Sequence, residues 1–517
     1  MSSRDDTEIR TAGVQATPAG GGSAQGVSAA ARTVALSSWV VVVSAAQFVV
    51  LVATSTRYGY HPDELYFIVA GSHPALGYPD QPPLVPLVSW AMHELAPGSL
   101  LLLRLPSALA AAATTLLAAL IAREVGGSRR AQVIAAACTA SSGFALAVGH
   151  FVTTTTFDLL STTALLWLMI RAIARSSGRS LLAAGVVVGV GCEAKPQVAL
   201  VAASALAALL VVGPRWPFRS WWTLAGGAAA VAFAAPYVVW QARHGWPQLT
   251  VAGNIAGSAE GGRRGFVPFQ LVMVSPFLVP VWVAGLLAPF RRETQRGLRF
   301  VPLTYAVLAA AYLVGNGKAY YLASLYPALL GLGATPTEEW TRKARVRGRA
   351  LIAAIALSAA ISAYIALPLL PVRDLQGSPV MKVNPDQGET VGWPRFVQTV
   401  RSAWESIPAS ERLETAIFTD NYGEAAAIDL LGHGLPRAYS GQTGFAEWGH
   451  PPSVDGEALV IGHDSVADAR PYFDGCRTLA TVNDGVGLDN KEQGKPLLLC
   501  RPTAAWATLW PHLTHYD

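Results

Sequence analysis

Residues 38–66 read SWVVVVSAAQFVVLVATSTRYGYHPDELY, an apolar run followed closely by two adjacent carboxylates, Asp63 and Glu64. The run, roughly residues 33–54, has the length of a helix that crosses a lipid bilayer. Two charged side chains just beyond such a helix are costly unless they bind a metal, pair with cations or take a proton from a substrate. The stretch therefore predicts a membrane protein whose first loop has a chemical role.

The rest of the chain repeats this apolar pattern. Only 14% of the 517 residues are charged and the mean hydropathy is +0.36, which excludes an ordinary soluble enzyme. Apolar blocks of roughly 20 residues recur, and they predict about eleven membrane-spanning helices, two of them short. The predicted spans are residues 34–55, 100–122, 131–150, 152–172, 181–194, 197–213, 221–241, 267–289, 300–315, 319–335 and 350–370.

The basic residues predict the orientation of these spans. Arg and Lys cluster in alternate loops, and such loops face the cytoplasm in most membrane proteins. Short clusters separated by apolar spans do not form a surface for nucleic acid. With the amino terminus inside, an odd number of spans places everything after Pro371 outside. The clusters are Arg123, Arg129 and Arg130; Arg171, Arg175 and Arg179; Arg215 and Arg219; Arg291, Arg292, Arg296 and Arg299; and Arg342, Lys343, Arg345, Arg347 and Arg349.

Composition divides the chain into three predicted parts. Residues 1–32 are polar and rich in Gly, Ala and Ser, which is typical of a disordered cytosolic tail and unlike a signal peptide. Residues 33–371 form the predicted transmembrane domain, and its first outer loop, residues 56–99, is too long for a simple connection. Residues 372–517 are more charged, with short apolar runs, and predict a small extracytoplasmic α/β domain.

Shorter patterns predict structure within the two outer regions. Residues 63–71 and 83–95 have helical spacing with aromatic faces, which predicts short helices along the membrane surface. In the carboxy-terminal region, residues 416–419 and 458–461 read as buried strands and residues 423–431 as a helix between them. The cysteines of this region are in an oxidising compartment, where they could pair, but two cysteines alone leave the pairing open. They are Cys476 and Cys500.

Three acidic residues are candidates for chemistry. Asp158 lies about two turns into the fourth span, where an ionisable side chain is a functional candidate by default. Its alternative role is a buried partner to Arg104 or to a lysine. Asp63 and Glu64 point roughly 100° apart on a helix, so that one can face a cavity while the other pairs with a cation. Their alternative role is to cap the start of a surface helix.

Two lysines on the outer side are candidates for binding an anionic headgroup. Lys195 and Lys318 lie in outward turns, where basic residues are otherwise rare in this chain. Their alternative role is to reach from the ends of spans toward the interface. Tyr320 and Tyr321 place aromatic rings beside Lys318. No phosphate-binding loop, dinucleotide fingerprint or metal-ligand spacing occurs, so no cofactor is required, although a divalent metal between the carboxylates is permitted.

A series of motifs over about residues 35–450 resembles a known family. By their order and spacing the chain is similar to bacterial members of glycosyltransferase family 39, which belong to the GT-C superfamily. Relatives include the protein O-mannosyltransferases and the enzyme that adds aminoarabinose to lipid A. The motifs are His61-Pro62-Asp63-Glu64-Leu65-Tyr66, Gly77-Tyr78-Pro79-Asp80-Gln81-Pro82-Pro83-Leu84, Arg104-Leu105-Pro106-Ser107, Phe157-Asp158, Ala194-Lys195-Pro196, the tract 318–327 and Tyr422-Gly423-Glu424-Ala425.

The resemblance implies a polytopic enzyme that transfers a sugar, mannose-like or a pentose, from a polyprenyl monophosphate to an acceptor on the outer face. It implies a catalytic base at Asp63, with Glu64 as its neighbour, and a supporting acid at Asp158. The lipid phosphate would be held by basic residues. The residues assigned to the donor are Lys195, Lys318, Arg104, Tyr320 and Tyr321.

The resemblance leaves the acceptor open among a glycan, a lipid and a protein. The large outer insertion of the protein-mannosylating branch is missing and a carboxy-terminal domain is present instead, which counts against a protein. The implied location is the plasma membrane. The rival interpretation is a transporter or flippase of a lipid-linked sugar, with the acids as ion sites, but such proteins show inverted repeats that this sequence lacks.

Overall fold

The computed structural model describes residues 34–257, 263–452 and 456–516. The predicted disordered tail, residues 1–32, lies outside these residues. The described part forms one compact unit from Val34 onward. Sixteen α-helices are described up to residue 366: α1 (Ser38–Thr54), α2 (Pro62–Ser72), α3 (Leu84–Leu95), α4 (Leu100–Glu124), α5 (Arg129–Ala140), α6 (Gly143–His150), α7 (Thr154–Arg175), α8 (Gly178–Cys192), α9 (Gln197–Val212), α10 (Trp221–Arg243), α11 (Pro247–Gly257), α12 (Arg263–Val274), α13 (Val279–Arg291), α14 (Phe300–Val314), α15 (Tyr326–Arg342) and α16 (Arg345–Ala366).

Every predicted span has a helical counterpart, but the helices vary in length. Among the described residues, α4, α7, α10 and α16 are each long and apolar enough to cross a membrane. Two further pairs of helices are apolar enough when taken together but are bent at a break, by 59° between α5 and α6 and by 82° between α12 and α13, as in a broken span or a re-entrant loop. Shorter apolar helices are α1, α8, α9 and α14. The remaining predicted span, 319–335, starts as a 3-10 helix and continues as α15, so the number eleven stays a prediction.

Two of the long helices expose apolar side chains on most of their surface. Only 11% of the apolar window of α10 and 22% of that of α16 is buried. Leu224 and Val231 on α10 and Ile352 on α16 are more than half exposed. Exposed apolar faces of this extent are expensive in water and are the normal condition of a helix in lipid. These two helices therefore lie at the lipid-facing periphery of the bundle.

The predicted helices of the first outer loop are present as α2 and α3. Gly71 permits their close contact, because a Cβ atom there would lie 2.3 Å from the Pro86 carbonyl oxygen. The position of the two helices along the membrane surface stays a prediction. From Glu64 to Gly71 every residue of α2 is buried. The reason is that the apolar residues of α2 share a core with the carboxy-terminal region, including Trp393 and Phe396.

The carboxy-terminal region is an α/β unit with a five-stranded sheet. The strands are ordered β2-β1-β3-β5-β4. Strand β1 pairs in parallel with β2 and β3, and β5 pairs antiparallel with both β3 and β4. Both predicted strands are β-strands, all of whose residues are buried, as expected of parallel strands covered on both faces. The strands are β1 (Ala416–Thr419), β2 (Ala438–Ser440), β3 (Ala458–Ile461), β4 (Phe473–Thr481) and β5 (Pro496–Pro502).

Eight short helices are described in the same region. The predicted helix 423–431 is one of them, and it crosses from β1 to β2. The boundary predicted between residues 371 and 372 stays a prediction, because the described residues on its two sides pack as one unit. The helices are α17 (Pro379–Val383), α18 (Asp386–Glu389), α19 (Trp393–Ser406), α20 (Ala409–Arg412), α21 (Tyr422–Leu431), α22 (Thr443–Glu447), α23 (Val466–Ala469) and α24 (Trp506–Leu513).

A disulfide bond joins Cys476 in β4 to Cys500 in β5 and closes a loop with a sequence separation of 24 residues. A loop of this size restricts the unfolded chain and is worth about 3 kcal/mol. We expect the double substitution Cys476→Ala and Cys500→Ala to lower the unfolding temperature. Reduction should lower that of the wild type as well and leave the double variant unchanged. Thermal unfolding with and without reductant measures both effects, and an equal response of the two proteins to reductant would contradict the assignment.

Candidate active site

The start of α2 is fixed by a capping box. His61 is the N-cap residue, and its Nδ1 accepts a hydrogen bond from the Asp63 amide at 3.2 Å. Glu64 closes the box, since its Oε2 accepts from the His61 amide at 2.9 Å. Such a box satisfies backbone donors that the helix itself leaves without partners. The capping role considered for the acidic pair therefore belongs to His61 and Glu64, and the carboxylate of Asp63 is left for other contacts.

Glu64 and Arg104 form a buried ion pair. Arg104 Nε donates to Glu64 Oε1 at 2.9 Å and Nη2 donates to Oε2 at 2.7 Å, in the paired geometry that guanidinium and carboxylate groups favour. Arg104 is 1% exposed and Glu64 is not exposed at all. Arg104 also donates to the Ser55 and Gly59 carbonyls, and Val152 N donates to Glu64 Oε1. The pair ties α2 to the ends of α1 and α6.

The roles predicted for this pair were catalysis for Glu64 and phosphate binding for Arg104. Both stay predictions, but the geometry favours a structural role for each. The polar atoms of the two side chains are directed at one another and at the backbone. Both side chains are almost completely shielded from solvent.

Asp63 lies at the surface of the same helix turn, with its side chain 31% exposed. The Tyr422 hydroxyl, from the start of α21, donates a hydrogen bond of 2.8 Å to Asp63 Oδ1. No described residue donates a hydrogen bond to Oδ2, and His61 Nδ1 lies 3.8 Å from it. Because this Nδ1 accepts from the Asp63 amide, a neutral His61 has its proton on Nε2. One oxygen of Asp63 is thus oriented by a phenol while the other is open to a substrate.

A second carboxylate of the first loop has a similar partner. Asp80 Oδ1 accepts a hydrogen bond of 2.8 Å from the hydroxyl of Tyr66, and Gly444 N donates to the same hydroxyl at 3.1 Å. The rings of Tyr66 and Tyr422 lie 4.8 Å apart. Asp80, Tyr66 and Tyr422 were not among the predicted site residues. Each lies inside a motif that carries the family resemblance, and membership of these motifs was the sequence signal that could have identified them.

The predicted acid of the fourth span lies with the first predicted lysine. Asp158, on α7, is 2% exposed, and its Oδ1 accepts from Thr162 Oγ1 at 3.3 Å. Lys195 lies in the turn between α8 and α9, and its Nζ donates to Thr155 Oγ1 at 2.9 Å. The charges of Asp158 and Lys195 attract each other, and the positive charge of Lys318 is close enough to act on Lys195.

This environment affects the charge of Lys195. Burial lowers the pKa of the ammonium group, the carboxylate of Asp158 raises it, and the nearby charge of Lys318 lowers it again, with a net decrease. An anion bound beside the two lysines would reverse that decrease by favouring the charged form of Lys195. The electrostatic setting of the two lysines is therefore suited to an anionic ligand.

Aromatic rings belong to the same cluster as Asp158, Lys195 and Lys318. Lys195 Nζ lies 5.5 Å from the ring centre of Tyr320 and 5.4 Å from that of Tyr321, within the range of cation–π attraction. The two rings meet edge to face at 5.1 Å. The structure thus brings together five predicted residues: Asp158, Lys195, Lys318, Tyr320 and Tyr321.

Sequence reasoning missed an acid in the same turn as Lys195. Glu193 is half-buried, and burial raises the pKa of its carboxyl group to about 7. Its Oε1 is buried with no hydrogen-bond partner among the described residues. A group that titrates near neutral pH beside a candidate site is a common feature of catalytic machinery. The only available signal was its position two residues before Lys195.

A backbone hydrogen bond connects this cluster to the first-loop cluster, which contains Asp63 and Asp80 with their tyrosine donors. Leu84 N donates to the Glu193 carbonyl at 2.9 Å, which fixes the segment after Asp80 to the turn of Lys195. The charges of Asp80 and Glu193 both act on Tyr237, which lies on α10. The described residues contain no group of three or more His, Cys, Asp and Glu side chains that could hold a metal ion. That no cofactor is required, with a divalent metal permitted, stays a prediction.

Part of the chain matches a known family model. Residues 80–240 match the family model described as dolichyl-phosphate-mannose-protein mannosyltransferase. The match includes Asp80, Arg104, Asp158 and Lys195, whereas Asp63 precedes it. No curated protein sequence matches the chain significantly.

Solved structures match over most of the chain. ArnT from Cupriavidus metallidurans bound to undecaprenyl phosphate has a TM-score of 0.59 at 14% identity, over 89% of this chain and 98% of that chain. Its apo structure gives a TM-score of 0.58 at 15% identity, over 89% and 97%. The arabinofuranosyltransferase AftD from Mycobacteria gives 0.52 at 15% identity, over 90% of this chain and 40% of that chain.

The chain therefore has the fold of the GT-C polytopic membrane glycosyltransferases, mostly helical with a small carboxy-terminal sheet. The predicted fold class and the resemblance to relatives of the protein O-mannosyltransferases are confirmed. At these identities the structural matches establish the fold.

Proposed function

We propose that this protein transfers a sugar, mannose-like or a pentose, from a polyprenyl monophosphate to an acceptor hydroxyl at the outer face of the cell membrane. The observation that carries the proposal is the pair of neighbouring clusters in a GT-C fold. One contains an accessible carboxylate, Asp63, and the other contains Lys195 and Lys318 beside aromatic rings. ArnT, with the same fold, binds undecaprenyl phosphate.

The chemistry needs one base and one anion site. Asp63 takes the proton of the acceptor hydroxyl as its oxygen attacks the anomeric carbon from the side opposite the phosphate. The bond from the anomeric carbon to the phosphate oxygen breaks, so that the configuration inverts and polyprenyl phosphate leaves. Lys195 and Lys318 stabilise the charge that develops on the leaving phosphate. Asp158 keeps the ammonium of Lys195 in place, and the proton on Asp63 passes to solvent.

The orientation is part of this proposal. With the basic clusters in the cytoplasm, the first loop and the carboxy-terminal region face outward, and the Cys476–Cys500 disulfide supports an oxidising compartment for that region. The acceptor is a glycan, a lipid or a protein. No divalent metal is required in this mechanism, because lysines provide the positive charge at the phosphate.

The proposal is tested with purified protein in lipid nanodiscs and a panel of polyprenyl-phosphate-linked mannose and pentose donors. Release of free polyprenyl phosphate, together with a new glycoside of a simple alkyl glycoside acceptor, is the expected result. In sealed vesicles, movement of the intact donor across the bilayer without release of polyprenyl phosphate would instead support the transporter interpretation. Absence of both activities over the whole panel would overturn the proposal.

Lys195→Met should weaken the binding of polyprenyl phosphate by roughly tenfold to hundredfold, because hydrogen bonds to charged groups contribute about 1.5–3 kcal/mol. Native mass spectrometry or a fluorescence titration with polyprenyl phosphate measures the change. Lys382→Met, at an exposed lysine of α17, is the matched control and should bind like the wild type. Equal affinities of the Lys195 variant and the control would remove Lys195 from the donor site.

A further inference from the structure

The carboxy-terminal region approaches the start of α2 very closely at two glycines. A Cβ atom at Gly423 would lie 2.9 Å from Cβ of Pro62, and one at Gly444 would lie 2.7 Å from the Tyr66 hydroxyl. Real Cβ atoms avoid contacts this short, so glycine is the residue that permits this packing. The two contacts bring the start of α21 and the start of α22 against the helix that carries Asp63.

Two carboxylates of the first loop, Asp63 and Asp80, accept hydrogen bonds that depend on this interface. Tyr422 donates directly to Asp63 Oδ1 at 2.8 Å. Gly444 acts indirectly, since its amide donates to the Tyr66 hydroxyl at 3.1 Å and that hydroxyl donates to Asp80 at 2.8 Å. The carboxy-terminal region therefore orients Asp63 directly and contributes to the position of Asp80 through Tyr66.

Tyr422 is itself held firmly. Its amide donates to Gln442 Oε1 at 2.8 Å, and the preceding residue, Asn421, caps α21 by accepting from the Glu424 amide at 2.9 Å. Burial and then the charge of Asp63 raise the pKa of the Tyr422 hydroxyl well above its ordinary value. The phenol remains protonated over the whole working range of pH, so it is a constant hydrogen-bond donor.

We propose that Tyr422 is a positioning residue for the transfer reaction, and that the carboxy-terminal region is thereby an integral part of the active site. The inference rests on the proposed function. By fixing Oδ1, the phenol holds the Asp63 carboxylate so that Oδ2 faces the acceptor hydroxyl. It also stabilises the ionised carboxylate, which is the form that acts as a base.

The test is Tyr422→Phe, which keeps the ring and removes only the hydroxyl. We expect kcat to fall about tenfold with little change in KM for the donor, because a net hydrogen bond to a charged group is lost at the base and not at the donor site. The pH dependence of kcat should change as well, because the ionised base loses a hydrogen-bond donor. Tyr439→Phe, in the same region, is the matched control, since Tyr439 contacts Arg437 and not a carboxylate.

A second variant keeps the inference testable if Tyr422→Phe does not fold. Gly444→Ala pushes on the Tyr66 hydroxyl and should lower kcat without changing donor affinity. Thermal unfolding confirms that both variants are folded. Wild-type kcat and pH profile in both folded variants, beside an active wild type, would overturn this inference alone. A wild type that releases no polyprenyl phosphate from any donor would overturn the proposed function together with it.

Discussion

Asp63→Asn lowers the rate of sugar transfer by about 10²–10⁴-fold, the range expected when a general base is removed. The amide keeps the size of the carboxylate and can still accept from the Tyr422 hydroxyl, so the local geometry should survive. Only the capacity to take the acceptor proton is lost. The measurement is single-turnover release of polyprenyl phosphate from a bound donor, which separates the chemical step from binding.

The matched control is Glu94→Gln, which neutralises an exposed acid at the end of α3 in the same loop. It should turn over at the wild-type rate. Near-normal turnover of Asp63→Asn in a folded protein would end the assignment of Asp63 as base. Asp80→Asn then becomes the decisive variant, because Asp80 is the other carboxylate of the loop with a phenol donor.

The membrane helices could be predicted from sequence because apolar length and basic loops are local properties. Long apolar runs such as 100–122 and 152–172 correspond to single helices, α4 and α7. The breaks were harder to predict. α12 ends before Ser275, which has a φ of 156°, and Pro276 then begins a new element without an amide donor for the preceding turn. Sequence hydropathy predicts one uninterrupted span, residues 267–289, across this break.

The candidate site was predicted in part for a similar reason. An acid within a span and lysines in outward turns are unusual in themselves, so Asp158, Lys195 and Lys318 could be selected one at a time. Their partners could not be selected in this way. Tyr422 is 359 residues from Asp63 in sequence, and only the packing of α21 on α2 brings them together. The division of roles between Asp63 and Glu64 was difficult to predict because the N-cap residue of α2 is a histidine, an unusual residue for that position.

The buried pair of Glu64 and Arg104 is the site of the second large effect. Arg104→Met leaves the Glu64 carboxylate buried without its cation, which costs about 3–5 kcal/mol when such a pair is broken. It also removes the donors to the Ser55 and Gly59 carbonyls. We therefore expect a large decrease in thermal stability, with loss of activity as a consequence of lost structure. Arg57→Met, at an exposed arginine of the same loop, should unfold like the wild type.

The double variant Glu64→Gln with Arg104→Met distinguishes a structural role from a role in binding the donor phosphate. Once the carboxylate is neutral, no uncompensated charge remains in the core, so the double variant should be more stable than Arg104→Met alone. Unfolding temperatures of the wild type, the two single variants and the double variant measure this coupling. If Arg104→Met instead unfolds like the wild type but no longer binds polyprenyl phosphate, Arg104 belongs to the donor site. In that case the buried pair must open during turnover, since Arg104 is only 1% exposed.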